Sequence, residues 1–311
     1  MITTIELSST AIRCARMVNG RLASLDHHVI ADGVDPIEAL AAAPLPGALG
    51  KVAVTLTHSD LLLKPMMQPP CPPDRLDRIV RFELQASRGD DPQPVAIDWH
   101  LVRSGGDGDM RVLTLMTKAS LIDRLKAAVA RHDGKLSHVI PSGIGLFHAW
   151  KRQTGGTAEE DAVLLDVGGA HVHLALIRKG ELLLIRSQGP GMIQLARDLA
   201  EAQGLPEAEA RELLKKLGKG SPESLHDLIR RHSQAVAGLV TNAVRFAKAS
   251  LQLDGFDPKL VYVAGAGALV HGFSRHIADR LQGASVRLLN PFAGLLSAMP
   301  AEQMDAVAAL P

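Results

Sequence analysis

Residues 164–184 read LLDVGGAHVHLALIRKGELLL. An apolar run to Asp166, a Gly168-Gly169-Ala170 turn, a second apolar run and a Lys179-Gly180 turn spell a three-stranded meander. The aspartate needs a reason, because a carboxylate in an apolar run costs stability unless something there uses its charge. The same plan occurs once more. Shifted by 160 positions, IELSSTAIRCARMVNGRL from Ile5 aligns without a gap with LDVGGAHVHLALIRKGEL from Leu165. Glu6 then matches Asp166, Ser8-Ser9-Thr10 matches Gly168-Gly169-Ala170, and Asn19-Gly20 matches Lys179-Gly180. Turn chemistry accounts for glycines and serines but not for an acid at the same register of both meanders. The expectation is a duplicated α/β unit, with two carboxylates facing each other across a cleft. Each would stand beside a tight turn of N–H groups, an arrangement suited to phosphate oxygens and a hydrated divalent cation.

The composition narrows the function. At 311 residues the chain has room for about two domains. Its 34 Lys and Arg nearly cancel 33 Asp and Glu, and aromatics make up 3%, so neither a basic field nor a stacking surface invites nucleic acid. Cys14 and Cys71 form no C-x-x-C pair, which points to a reducing cytoplasm and no zinc. The opening MITTIELSST lacks a basic and apolar leader, and no uninterrupted apolar stretch reaches the length of a span, so direct membrane insertion is not expected.

Between and beyond the meanders the pattern is helical and stranded by turns. PIEALAAA reads as a short helix and KVAVTLTH as a strand. Asp74 to Ser87 places Leu76, Ile79, Val80 and Leu84 on one helical face. VAIDWHLVR and MRVLTLMTK read as strands around the loop SGGDGD, and SLIDRLKAAVARHDG as a helix with Ser120 as N-cap and Gly134 as stop. Residues 65–140 thereby form a helix-strand-strand-helix insertion entered through QPPCPP. Pro141-Ser142 starts a helix, and QTGGTAEED links it to the second half. MIQLARDLAEAQG and PEAEARELLKKLG follow as short helices carrying Arg211, Lys215, Lys216 and Lys219. A long amphipathic helix runs from Ser224 to about Gln252, its apolar stripe reading as core. LVYVAGAGALVHGF then gives a buried strand, a Gly265-Ala266-Gly267 turn and a helix start, a device that lets backbone approach a nucleotide.

Taken in order, Glu6 to Arg13, Asp166 to His173 and Val263 to Phe273 resemble the phosphate-1, phosphate-2 and adenosine segments of the actin-like ATPase superfamily. The insertion, VRLLNPF from Val286 and the late GLLSAM resemble its FtsA, PilM and GspL branch, and the PilM family most closely. The fold this implies is a duplicated actin-like (ribonuclease H-like) two-lobed α/β fold with a small inserted α+β (SHS2) subdomain. Lobe I would span 1–64, the insertion 65–140, a crossing helix and linker 141–160, and lobe II 161–311 with a helical part at about 192–254.

The implied function is a cytoplasmic scaffold of type IV pilus assembly, recruited to the inner face of the membrane by a partner. It would bind ATP with Mg in the interlobe cleft, dock a short peptide of a PilN-like inner-membrane protein, self-associate, and act as a weak ATPase at most. By the same resemblance Glu6 and Asp166 would lie near the metal through water. Ser8, Ser9, Thr10, Arg13, Gly168, Gly169 and Ala170 would hold the phosphates, and Lys215, Gly265, Ala266, Gly267 and Ala268 would surround the adenosine. Glu6-Leu7-Ser8 and Ala266 depart from the usual Asp-x-Gly and glycine. They keep open a second reading, a GspL-like interaction module of the same fold without nucleotide.

Overall fold

The computed structural model describes residues 1–31, 33–45, 47–56, 61–104, 110–155, 160–216 and 223–299. Lys219, most of the SGGDGD loop and the C-terminal PAEQMDAVAALP lie outside them. The chain divides into two units, one of Met1–Ser142 with Leu295–Met299 and one built on Gly143–Gly294.

In the first unit the meander is β1 (Ile2–Leu7), β2 (Ala11–Val18) and β3 (Arg21–Val29), antiparallel throughout. Helix α1 (Pro36–Ala42) follows, started by Asp35, whose side chain accepts from the N–H groups of Ile37 and Glu38 at 2.9 and 3.1 Å. Next come β4 (Gly50–Leu56), β5 (Leu62–Gln68), α2 (Pro73–Ala86), β6 (Val95–Ser104), β7 (Met110–Lys118), α3 (Ala119–Ala130) and β8 (Gly134–Pro141). One sheet has the order β3-β2-β1-β4-β8, the last two pairings parallel; a second has the order β5-β7-β6. Ile5, Leu7, Ile12, Val52 and Val54 pack with Ile37 and Leu40 of α1 and Leu125 and Val129 of α3 in one core. Leu76, Val80 and Leu84 of α2 close over Met110, Val112 and Met116 in another. The segment at Leu296 continues the larger sheet past β3, exchanging hydrogen bonds of 2.8 Å with Leu22.

Two details differ from the sequence expectation. Ser120 lies inside α3, and the cap position is Lys118, which makes no side-chain capping bond. The N–H of Ala119 donates instead to the Pro94 carbonyl at 2.9 Å, so a neighbouring segment replaces the hydroxyl. Gly134 does not stop the helix but opens β8; a Cβ there would stand 2.7 Å from Val129 Cγ1, so close packing selects the glycine.

The second unit opens with α4 (Ser142–Gln153) and repeats the meander as β9 (Ala162–Val167), β10 (Val172–Arg178) and β11 (Glu181–Gln188). It continues through α5 (Met192–Gln203), α6 (Glu207–Lys215), α7 (Glu223–Ser250), β12 (Leu260–Ala264), α8 (Ala266–Leu269), α9 (Phe273–Arg280) and β13 (Ser285–Leu288). Its sheet order, β11-β10-β9-β12-β13, is that of the first unit. The correspondence extends to irregularities: the register shifts between Arg16 and Met17 in β2 and between Leu176 and Ile177 in β10, again 160 positions apart. Asn19-Gly20 and Lys179-Gly180 both turn with positive φ at both residues, as tight hairpins require.

Strands β9 and β10 are almost wholly buried, which is why they read as continuous apolar runs rather than alternating ones. Trp150 of α4 is fully buried, edge-on to Tyr262 of β12 at 6.4 Å. Long helix α7 buries Leu225, Ile229, Val236, Val240 and Ala247 along one stripe, as its periodicity predicts. No helix among the described residues is long and apolar enough to cross a membrane.

Candidate functional site

In the second unit, β9 carries Asp166 to its end and the chain closes at once into the Gly168–Ala170 turn, with Gly168 N–H donating to the His171 carbonyl at 3.1 Å. The turn is fixed from behind by α5. The N–H groups of Met192, Ile193 and Gly191 donate to the carbonyls of Gly168, Gly169 and Ala170 at 2.9, 2.9 and 3.2 Å. With its carbonyls held this way, the turn has two N–H groups left, those of Gly169 and Ala170, for which the described residues supply no acceptor. Half-buried donors of this kind are satisfied by water or an anion.

Gly191 went unnoticed in the sequence. A Cβ there would sit 2.3 Å from the Gly169 carbonyl oxygen and 2.7 Å from that of Gly168, so only glycine lets α5 begin this close to the turn. The signal was the Gly189-Pro190-Gly191 run immediately before a helix.

Gly265 joins the same group. It has φ of 80°, and a Cβ there would meet Asp166 Oδ1 at 2.2 Å and the Val167 carbonyl at 2.7 Å. Gly267 packs on Val167 and Met192, a helix-strand contact. Asp166, Gly168, Gly169, Ala170, Gly265, Ala266 and Gly267 are therefore gathered around the end of β9, with Ala268 in the short helix that follows. Lys215 ends α6, exposed, with Nζ 2.9 Å from Glu212 of its own helix.

The first unit builds its counterpart differently. Ser8 Oγ accepts from the N–H groups of Thr10 and Ala11 at 3.3 and 3.0 Å and donates to the Ala11 carbonyl at 3.1 Å. The hydroxyl thus occupies the Thr10 donor, whose counterpart at Ala170 the glycine turn of the second unit leaves open; Ser9 stands exposed beside it. Glu6 and Arg13 are direct cross-strand partners, with Arg13 Nη1 3.2 Å from Glu6 Oε1. His27 is the next residue across, its pKa pushed down by burial and then by the Arg13 charge.

In the second unit the matching row is Asp166, His173 and Ser187. His173 is buried, its Nδ1 2.7 Å from Ser187 Oγ. His171 precedes β10; burial and the neighbouring His173 push its pKa down. Among the described residues no three His, Cys, Asp or Glu side chains gather into a metal-binding group. A divalent cation at these turns would be held chiefly by phosphate oxygens and water.

The first unit also contains a groove of about 300 Å³. Ala96 and Asp98 of β6, Leu115 of β7, Ile122 and Lys126 of α3, and the Leu136–Val139 stretch of β8 line it. Both β6 and β8 are edge strands of their sheets. Edge strands present unpaired N–H and C=O groups, and here they do so beside a mainly apolar slot that also carries Asp98, Lys126 and His138.

The family model of the type IV pilus assembly protein PilM matches residues 148–308, more than half of the chain. The chain belongs to the PilM family. Among solved structures, a PilM-PilN type IV pilus biogenesis complex is 17% identical with a TM-score of 0.81, over 99% of this chain and 94% of that one. The ethanolamine utilization protein EutJ of Carboxydothermus hydrogenoformans follows at 16% identity and a TM-score of 0.56, over 94% and 86%. MreB 5 of Spiroplasma citri, solved with AMPPNP, is 9% identical with a TM-score of 0.55, over 98% and 95%. No curated protein matches the chain. At these identities the likeness is one of fold, and it gives this PilM-family chain the actin-like fold with the duplicated sheets described above.

Proposed function

We propose that the chain is a scaffold of type IV pilus assembly that docks an extended cytoplasmic peptide of a PilN-like partner in the groove between β6 and β8, and that it binds ATP. The observation that carries the docking is the groove itself: two edge strands flank one apolar slot inside a single unit. An extended peptide can add main-chain hydrogen bonds to an edge while alternate side chains enter the slot. A peptide of the partner's cytoplasmic segment, labelled and titrated by fluorescence anisotropy, should bind saturably. Absence of saturable binding removes the docking reading.

ATP is supported by the turn at Gly168–Ala170, whose two N–H groups await acceptors, and by Gly265, which keeps backbone tight against Asp166. When bound, the nucleotide would place its phosphates on the turn, with Asp166 facing their counter-ion through water; Gly265 to Ala268 would pass beneath it. Asp166→Ala should weaken binding of a fluorescent ATP analogue in magnesium by tenfold or more. An unchanged affinity counts against this placement.

The self-capped turn at Ser8 favours a second reading, a docking module that holds no nucleotide. Equilibrium dialysis with no ATP uptake, alongside retained peptide binding, selects it.

A further inference from the structure

Strand β8 lines the groove with four consecutive residues, Leu136, Ser137, His138 and Val139, although the side chains of a regular strand alternate between faces. A bulge accounts for it. Leu136 pairs with Val52 and His138 with Ala53, so Ser137 is an extra residue without a cross-strand partner, and the side chains around it are re-aimed. Its hydroxyl donates to the Val52 carbonyl at 2.7 Å. The same oxygen lies 3.0 Å from His138 Nδ1. A carbonyl can only accept and a serine hydroxyl has a single proton, so the proton between Ser137 and His138 belongs to the ring. Nδ1–H therefore donates to Ser137 Oγ, and in the neutral imidazole Nε2 carries the lone pair.

The other titratable side chains of the groove are engaged at home. Asp98 accepts from the Trp99 N–H at 2.8 Å, and Lys126 Nζ donates to Asp123 Oδ1 at 3.1 Å. For His138 Nε2 the described residues supply no donor. We infer that His138 reads the partner peptide: Ser137 is a positioning residue that holds the ring in one tautomer, and Nε2 accepts from an uncharged amide, hydroxyl or main-chain N–H of the bound segment. This deepens the docking reading above and rests on it. An ammonium or guanidinium does not suit that position, because a neutral nitrogen leaves the cost of taking a cation out of water unmet and Asp98 already accepts from Trp99. A ring free to change tautomer would present a donor and an acceptor by turns. The Val52–Ser137–His138 chain fixes the choice before the peptide arrives, which lowers the ordering cost of binding.

The test titrates the labelled peptide of the partner's cytoplasmic segment by fluorescence anisotropy. His138 is exposed, so His138→Phe keeps a ring and the fold while losing the acceptor; affinity should fall about fivefold to tenfold, the scale of one hydrogen bond. Ser137→Ala should lower it about threefold and Ser137→Thr, which restores the hydroxyl, should stay within about twofold of wild type. Because Ser137 acts through His138, the double variant Ser137→Ala with His138→Phe should bind no more weakly than His138→Phe alone. Long-range nitrogen NMR of the full chain in mildly alkaline buffer reads the tautomer directly: Nδ1 protonated in wild type and Ser137→Thr, a mixture in Ser137→Ala. Unchanged affinity in His138→Phe, a wild-type ring protonated at Nε2, or additive losses from the two positions each overturn the inference and leave the docking reading standing. Wild-type protein that binds no peptide overturns the docking reading and this inference with it.

Discussion

Replacing Gly191 by alanine is expected to destabilise the second unit by about 2–3 kcal/mol and to weaken ATP binding at the same time. The added methyl would lie 2.3 Å from the Gly169 carbonyl oxygen, with the Ala170 carbonyl carbon and Gly168 oxygen at 2.7 Å. All three are backbone atoms, so no side chain can swing aside. Either α5 retreats from the turn or the turn deforms, and each breaks hydrogen bonds from the α5 N–H groups to Gly168, Gly169 and Ala170. Those carbonyls, once released, no longer hold the neighbouring N–H groups towards the ligand.

The measurement is urea unfolding followed by tryptophan fluorescence in a Trp99→Phe background, where buried Trp150 reports the second unit. Gly238→Ala is the control. It lies in the middle of α7 with nothing within 4 Å of its added Cβ, so it should stabilise by about 0.5–1 kcal/mol. A loss below about 0.5 kcal/mol for Gly191→Ala would mean that the helix start tolerates the methyl and that the turn is not held from behind.

Much of this was legible in the chain before any coordinates. A 160-residue shift finds the duplication because it preserves strand ends, acids and hairpin turns together, and the structure carries it down to a shared register shift. Helices α2, α5 and α7 follow from their apolar periodicity, which tertiary contacts had no cause to override. Strand β8 was invisible for the opposite reason. GKLSHVIP has no apolar alternation and only Val139-Ile140 as β-branched residues, and it is a strand because it pairs in parallel with β4, some eighty residues earlier. Gly191 and the Ser8 cap escaped similarly: one depends on how near a helix start comes to a distant turn, the other on which way a hydroxyl points. The candidate residues of each unit could be named from sequence. Which donors they leave open could not, because that depends on hydrogen bonds made by residues outside the motif.

The groove offers the other large effect. Ala96 lies on edge strand β6, exposed at the slot, with Thr117 of β7 as its cross-strand partner. Arginine there adds a long cation to a slot already holding Lys126. A peptide side chain entering the slot would lose its apolar contacts and meet a charge that cannot shed its proton. Affinity for the partner peptide should fall by about 30-fold or more, the scale of losing one well-buried interface anchor. Stability should change by less than about 0.5 kcal/mol, because the substitution removes no packed atom. Phe82→Ala is the comparison that separates this groove from general stickiness: Phe82 is 73% exposed on α2 and lines no part of the slot. If peptide binding follows Phe82 and ignores Ala96, the partner docks on the outer face of α2. If it follows Ala96 alone, edge strands β6 and β8 are where this scaffold meets its partner.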